Sequence, residues 1–159
     1  MGAPKPTSEQ KRLWMGMARL VSHLAREAGQ GVEAAQGINL SQMTLMGQVE
    51  ALGGSARMVD LADRLQVSKP AITKIVDALE RLGYLQRGRS QSDRRVIHIE
   101  LTPEGSQVRA RAEAVFESTM QAGLWDHLSA EETSGMVKLL ERLQATLGLS
   151  QGSLMPPSH

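Results

Sequence analysis

Apolar residues recur at helical spacing over most of the chain, which predicts a mainly α-helical protein. The first series runs from Leu13 to Leu24, and Thr7 and Gln10 precede it at the spacing of a capping box. We expect this helix to end near Ala28, because glycine weakens a helix interior. The glycines that interrupt the pattern there are Gly29, Gly31 and Gly37.

Three further helices are predicted in close succession. The second begins at an N-cap Ser41 and stops at the glycine pair 53–54. The third covers about 58–65, and the fourth follows after a short turn, since Ser68 is a good N-cap and Pro70 lies in the first turn. Gly83 then supplies a left-handed cap. Two helices joined by so short a turn must cross steeply.

After Gly83 the pattern changes to the period of a β-strand. Segments 84–87 and 95–101 are predicted strands, and the polar segment 88–93 links them into a hairpin. Thr102 and Pro103 then begin a helix that runs to about Ala122. Ser129 and Glu132 form a capping box for a last helix, which stops near residue 148.

The order helix, turn, helix and hairpin is that of a winged helix-turn-helix. We therefore predict a mainly α fold with a small antiparallel β-hairpin, in which a winged helix-turn-helix is joined to a helical dimerisation region. The expected division is a dimerisation helix with its connection over 7–40, the winged region over 41–102, dimerisation helices over 103–148 and a disordered tail over 149–159.

Composition narrows the function. The chain has 159 residues and no cysteine, which excludes disulfides and thiolate metal sites. The first residues lack an apolar core like that of a signal peptide, so we expect a cytoplasmic protein that does not enter membranes. Net charge is +1, but the segment 57–98 holds nine Lys or Arg against five acids. Such a basic centre fits a phosphate-binding face, although a solvated mixed surface has the same composition.

The fourth helix carries the residues expected to read duplex DNA. Short polar and cationic side chains face outward near its N-terminus, the end that enters the major groove, where Lys reaches guanine acceptors or phosphates and Thr touches a thymine methyl. The predicted contacts on this helix are Ser68, Lys69, Pro70, Thr73, Lys74 and Asp77.

The hairpin adds a second set of cations. Arginine inserted into a narrow minor groove meets enhanced negative potential. A carboxylate beside the arginines of the hairpin would repel phosphate, so we expect Asp93 to orient the Arg95 guanidinium through an ion pair. The predicted contacts on the wing are Arg87, Arg89, Arg94 and Arg95.

These motifs resemble one family closely. The segment Ser68-Lys69-Pro70-Ala71-Ile72-Thr73-Lys74-Ile75-Val76-Asp77-Ala78-Leu79-Glu80, then Gly83, Asp93-Arg94-Arg95 and Leu101-Thr102-Pro103-Glu104-Gly105, is similar to the MarR family of bacterial transcriptional regulators. The resemblance spans about 13–147. It implies an intertwined homodimer built from the first and the last two helices, which reads a pseudo-palindromic operator with half-sites about one helical turn apart. It also implies that Arg95 enters the minor groove with Asp93 as its positioner.

The resemblance further implies a repressor released by a small aromatic or phenolic anion. From the residues, one stripe of the first helix carries Arg12, Arg19, His23 and Arg26, and Trp14 could stack on an aromatic ring. Met43 and Met46 could add an adaptable wall. A solvated basic face and an ordinary methionine core explain the same residues, and a regulator without an effector is the alternative.

Other functions find less support in the sequence. No nucleophile with a base and no phosphate-binding glycine loop is present, so an enzyme is not predicted and no cofactor is expected. The histidines are scattered, so no metal site is predicted. Aromatic residues make up 3%, too few for a single-strand stacking platform. A winged module that acts only through protein contact stays open, although it would leave Lys69, Lys74 and Arg95 without a role.

Overall fold

The computed structural model describes residues 5–89 and 97–148, without the side chain of Arg89. It has six α-helices in this part of the chain, as the sequence predicts. They are α1 (Ser8–Gln36), α2 (Leu40–Ala51), α3 (Met58–Leu65), α4 (Lys69–Arg81), α5 (Pro103–Gly123) and α6 (Ala130–Thr146), with a short 3₁₀ helix at Trp125–His127 between the last two. The predicted disordered tail 149–159 lies outside the described residues.

The capping predictions hold at both ends of the chain. Thr7 Oγ1 accepts a hydrogen bond from the Gln10 amide at 3.2 Å, and the Gln10 side chain accepts one from the Thr7 amide at 2.8 Å. Ser129 and Glu132 form the same reciprocal pair at the start of α6. Each pair satisfies amides that have no partner inside the helix.

Helix α1 is longer than predicted, because it continues through Gly29 and Gly31 to Gln36. The two glycines lie where helices approach closely: a β-carbon at position 31 would lie 3.4 Å from Val115 Cγ1 of α5. Burial of the last turns of α1 outweighs the cost of glycine in a helix, about 1 kcal/mol each. The helix ends instead at Gly37, whose φ of 67° is left-handed.

Helix α2 begins two residues earlier than expected. Asn39, not Ser41, is the N-cap, and it forms a capping box with Gln42. Both residues are good N-caps, but only Asn39 has a Gln three residues later that can return the hydrogen bond.

The sheet has three antiparallel strands where the sequence predicts a hairpin. They are β1 (Ser55–Arg57), β2 (Leu85–Arg89) and β3 (Ile97–Leu101), in the spatial order β1-β3-β2. β3 pairs with β1 at Ala56↔Ile99 and with β2 at Arg87↔Ile99. A strand of three residues is too short to show the alternation of apolar and polar residues that marks a strand, so the sequence did not predict β1.

One core joins the winged region to the end of α1 and the start of α5. Its fully enclosed residues come from every helix from α1 to α5 and from all three strands: Val32, Ile38, Leu45, Met46, Val49, Ala56, Leu61, Ile72, Val76, Leu79, Leu85, Ile99, Val108 and Ala112. Helix α6 has no buried residue, and α1 has none before Leu24. The first turns of α1 and the whole of α6 therefore project from this core.

Candidate nucleic-acid interface

The turn between α3 and α4 sets the orientation of α4. Gln66 adopts a left-handed conformation with φ of 52°, and the Val67 amide returns to the Ala62 carbonyl at 3.1 Å. Ile72, Val76 and Leu79 of α4 are fully buried against the core. Helix α4 is thus fixed along its inner face, which leaves its outer face to solvent.

The N-terminal half of α4 presents most of the predicted contacts. Ser68, Lys69, Pro70 and Lys74 are exposed, and Thr73 is partly exposed. Within the described residues neither Lys69 nor Lys74 forms an ion pair. Both charges are therefore available to an external anion.

The first turn of α4 also differs from those of most other helices. Ser68 makes no side-chain capping hydrogen bond, whereas the N-cap side chains of α1, α2, α5 and α6 all do. Thr73 Oγ1 donates to the Lys69 carbonyl at 2.9 Å, so its oxygen can still accept a bond. This end of the helix offers a hydroxyl, a positive dipole end and two lysines to a phosphate.

Two predicted DNA contacts pair with each other. The Arg87 guanidinium of β2 donates to the carboxylates of Asp77 and Glu80, which lie one turn apart on α4. The hydrogen bond to Asp77 is the main reason that the pKa of Arg87 is raised. The sequence did not single out Glu80, and its spacing of three from Asp77 is the only signal that could have done so.

Arg57, another basic residue of the central segment, is paired as Arg87 is. Its guanidinium donates to both Asp60 carboxylate oxygens, at 2.7 and 2.8 Å. These hydrogen bonds raise the pKa of Arg57, and they are the main cause that lowers the pKa of Asp60. The charge of Arg57 is therefore already balanced by Asp60 within the protein.

The wing itself is described only in part. Arg89 ends β2 on the strand that leads into the hairpin tip. Asp93, Arg94 and Arg95 lie outside the described residues. Their assignment stays a prediction.

The base of the hairpin explains the motif Thr102-Pro103-Glu104-Gly105. Thr102 Oγ1 donates to the Gly83 carbonyl at 2.8 Å and accepts from the Gly105 amide at 3.0 Å, so one hydroxyl both caps α5 and binds the end of α4. The Thr102 amide donates to the Tyr84 carbonyl at 3.1 Å. This motif fixes the junction between the winged region and α5.

The predicted effector residues are spread over two environments. Arg19 and His23 lie on one exposed face of α1, beside an open space of about 640 Å³ that is also bordered by Ala18, Leu20, Ser22 and Arg26 of the same helix. Arg12 is exposed on the same helix, and Trp14 is 67% exposed. Met46 is fully buried in the core and Met43 packs against that core. The structure thus places Arg19, His23 and Arg26, three of the four residues of the predicted stripe, close together on α1.

Metal and membrane sites find no support in the described residues. Within 5–89 and 97–148, no group of three or more His, Asp or Glu side chains could hold a metal ion. No helix in the same part of the chain is long and apolar enough to cross a membrane.

The sequence is similar to known regulators of transcription. The profile of the MarR family matches residues 36–96. An uncharacterised HTH-type transcriptional regulator of Bacillus subtilis, YwhA, is 30% identical over 92 residues, which are 57% of this chain and 64% of that protein. The chain thus spans less than two thirds of the length of this relative. The relatives are transcriptional regulators and not enzymes, as the sequence predicts.

Solved structures share the fold over nearly the whole chain. Sco3205, a MarR family regulator from Streptomyces coelicolor solved in complex with DNA, superposes with a TM-score of 0.83 over 98% of this chain and 97% of its own, at 20% identity. An organohalide-sensing regulator, RdhR-CbdbA1625, solved in its 2,4-dichlorophenol-bound form, gives 0.79 over 100% and 96% at 16% identity. At these identities the likeness establishes the fold.

Proposed function

We propose that this chain is a transcriptional regulator of the MarR type that binds duplex DNA in a sequence-specific manner, which the match of residues 36–96 to the MarR family supports. The observation that carries the proposal is the N-terminal half of α4, where Lys69 and Lys74 are exposed and have no ion-pair partner among the described residues, and where Ser68 makes no side-chain capping hydrogen bond. Sco3205, which shares the fold, was solved on DNA.

The wing supplies the second half of the proposed contact. Arg95 enters the minor groove and Asp93 orients it, while Arg89 and Arg94 bind the flanking phosphates. Arg89 ends β2, next to this segment, which is consistent with such a placement.

We further propose that the chain acts as a homodimer. Helix α6 buries none of its side chains, although Leu139, Leu140 and Leu143 follow one face and are about half exposed. The first turns of α1 carry a similar row that includes Trp14 and Met17. An isolated helix of this length is marginal in water, so a second copy that covers both rows would stabilise them. Two winged regions would then bind half-sites about ten base pairs apart.

The regulator is proposed to be a repressor of the bacterial cytoplasm or nucleoid, released by a small aromatic anion. One face of α1 supports this, because it carries Arg19, His23 and Arg26 together, and Arg26 Nη2 lies 3.5 Å from His23 Nδ1. A structural relative is solved with 2,4-dichlorophenol bound. A regulator that needs no effector is the alternative.

The decisive experiment is selection of bound duplexes from a random pool by the purified protein at two salt concentrations. Enrichment of a pseudo-palindrome with half-sites about ten base pairs apart, bound less tightly at the higher salt, is the expected result. If no duplex binds even at low salt, the proposal is wrong and a winged module that acts through protein contact replaces it. Protein contact by apolar burial would not weaken as salt rises.

A further inference from the structure

Arg87 joins β2, the first strand of the wing, to α4. It lies on β2, opposite Ile99 of β3, and its guanidinium reaches across to two carboxylates of α4. One nitrogen donates to Asp77 and the other to Glu80, so the planar fork spans one helical turn. The side chain is 33% exposed, which leaves the cluster near the surface but partly shielded.

The charges of this cluster make it a poor phosphate site. One guanidinium faces two carboxylates, so the three groups together carry a net negative charge. Both terminal nitrogens of Arg87 are already engaged with protein carboxylates. Lys69 and Lys74, by contrast, have no ion-pair partner among the described residues. The lysines at one end of α4 and the cluster at its other end therefore have different tasks.

We infer that Arg87 is a positioning residue that fixes the wing relative to α4 before DNA arrives, rather than a phosphate contact. This inference rests on the proposed function. Its effect on affinity comes through preorganisation, because a wing already held against α4 loses less conformational freedom on binding. Asp77 belongs to the same ion-pair cluster and does not contact a DNA base.

Salt dependence separates the two roles. A residue that neutralises a phosphate contributes about 0.9 to the slope of log Kobs against log salt, whereas a positioning residue contributes nothing to that slope. We expect Arg87→Gln to weaken binding of the selected duplex about three- to tenfold with an unchanged slope between about 50 and 200 mM salt. The matched control Lys74→Gln is expected to lower the slope by about 1.

Removing the two carboxylates gives a second test, in which a purely repulsive role and a positioning role predict opposite changes in DNA affinity. If Asp77 and Glu80 only repelled the DNA backbone, the double variant Asp77→Asn, Glu80→Gln would bind more tightly, because it removes two negative charges near phosphate. The inference requires weaker binding, with a loss similar to that of Arg87→Gln. Combining all three changes should then add little, since they break one unit.

A conservative change adds a further comparison. Arg87→Lys keeps the charge but cannot span both carboxylates, so it is expected to resemble Arg87→Gln in affinity. Retention of wild-type affinity by Arg87→Lys together with a lower slope for Arg87→Gln would identify a phosphate contact and overturn the inference. Wild-type protein that binds no duplex would overturn the proposed function itself. Circular dichroism melts of each variant check that the fold is retained, and a tighter-binding carboxylate variant with an unchanged melt also overturns the inference.

Discussion

Gly105 lies directly against the backbone of Tyr84. A β-carbon at position 105 would overlap the Tyr84 carbonyl oxygen, and this oxygen already accepts a hydrogen bond from the Thr102 amide. The first turn of α5 therefore packs on the chain between α4 and β2 with no room for a side chain. The close approach sets where the winged region ends and the long connecting helix begins.

Gly105→Ala is expected to destabilise the protein. The methyl group would force the backbone of α5 away from Tyr84, at a cost of about 1–3 kcal/mol in the free energy of unfolding, measured by urea denaturation. Gly135→Ala is the control, because nothing lies within 4 Å of a β-carbon there and α6 should gain about 0.5–1 kcal/mol from alanine. If Gly105→Ala is as stable as wild type, the contact between α5 and Tyr84 can accommodate a methyl group and the prediction is wrong.

Arg95→Ala is expected to weaken binding of the selected duplex by about 1–3 kcal/mol without changing the oligomeric state. Lys74→Ala should instead lower the salt slope or change the preferred sequence. Fluorescence anisotropy titrations at several salt concentrations measure both, and light scattering reports the oligomer. Dissociation of the dimer by Arg95→Ala would contradict a role confined to the wing.

Leu140→Glu is expected to prevent dimerisation. Leu140 is half exposed on the apolar face of α6, and a carboxylate there would be buried without a partner in the proposed interface. Sedimentation equilibrium should show a monomer or an unfolded chain. Lys138→Glu, on the opposite side of α6, is the control and should remain dimeric. A dimer for both variants would place the interface elsewhere.

Glu132 makes the start of α6 sensitive to acid. Hydrogen bonds from the Ser129 amide and hydroxyl hold the pKa of Glu132 below its usual value of 4.5. The folded pKa is thus below the unfolded one, so this contribution to stability is present above about pH 4.5 and is lost as pH falls through the folded pKa. Glu132→Gln should be less stable than wild type near pH 7.

Chemical denaturation over a pH series should show that this difference between wild type and Glu132→Gln closes in acid. Glu131→Gln changes the same charge in the same turn, where Glu131 makes no capping hydrogen bond, and so serves as the control. A difference for Glu132→Gln that stays constant from neutral to acid pH would rule out ionisation as its cause.

The basic face of α1 can be tested as an effector site with benzoate and 2,4-dichlorophenol as probes. A ligand that binds the native state raises the apparent melting temperature, and we expect this rise for wild type. Arg19→Ala should abolish it, since Arg19 supplies one of the cations on this face. Arg81→Ala, on α4, is the control and should retain it. If neither probe shifts the melt or releases DNA, the regulator without an effector is favoured.

Local signals predicted most of the fold. The capping pairs Thr7 with Gln10 and Ser129 with Glu132, and the cap Ser68 with Pro70, gave the starts of three helices, because each motif acts within one turn. Gly29 and Gly31 led to a wrong end for α1, because their role depends on packing between helices: Gly29 lies against Leu40 of α2 and Gly31 against Val115 of α5. Helix propensity does not report such contacts.

The sequence predicted which types of residue lie at the candidate site, but it did not predict which of these residues pair with each other. Lys69 and Lys74 are exposed on α4 as expected. Arg87 and Asp77 were both interpreted as DNA contacts because of their charge, yet they lie on different elements that meet only in the folded chain. Sequence shows that a cation is present, and tertiary structure decides whether it is already neutralised.

Helix α6 has a consequence for how the protein responds to dilution. Because it buries no side chain within its own chain, its folding in the proposed dimer becomes a reaction of second order. The midpoint of thermal unfolding should then rise with protein concentration. The cellular amount of this chain would govern how much of it is folded as well as how much DNA it occupies.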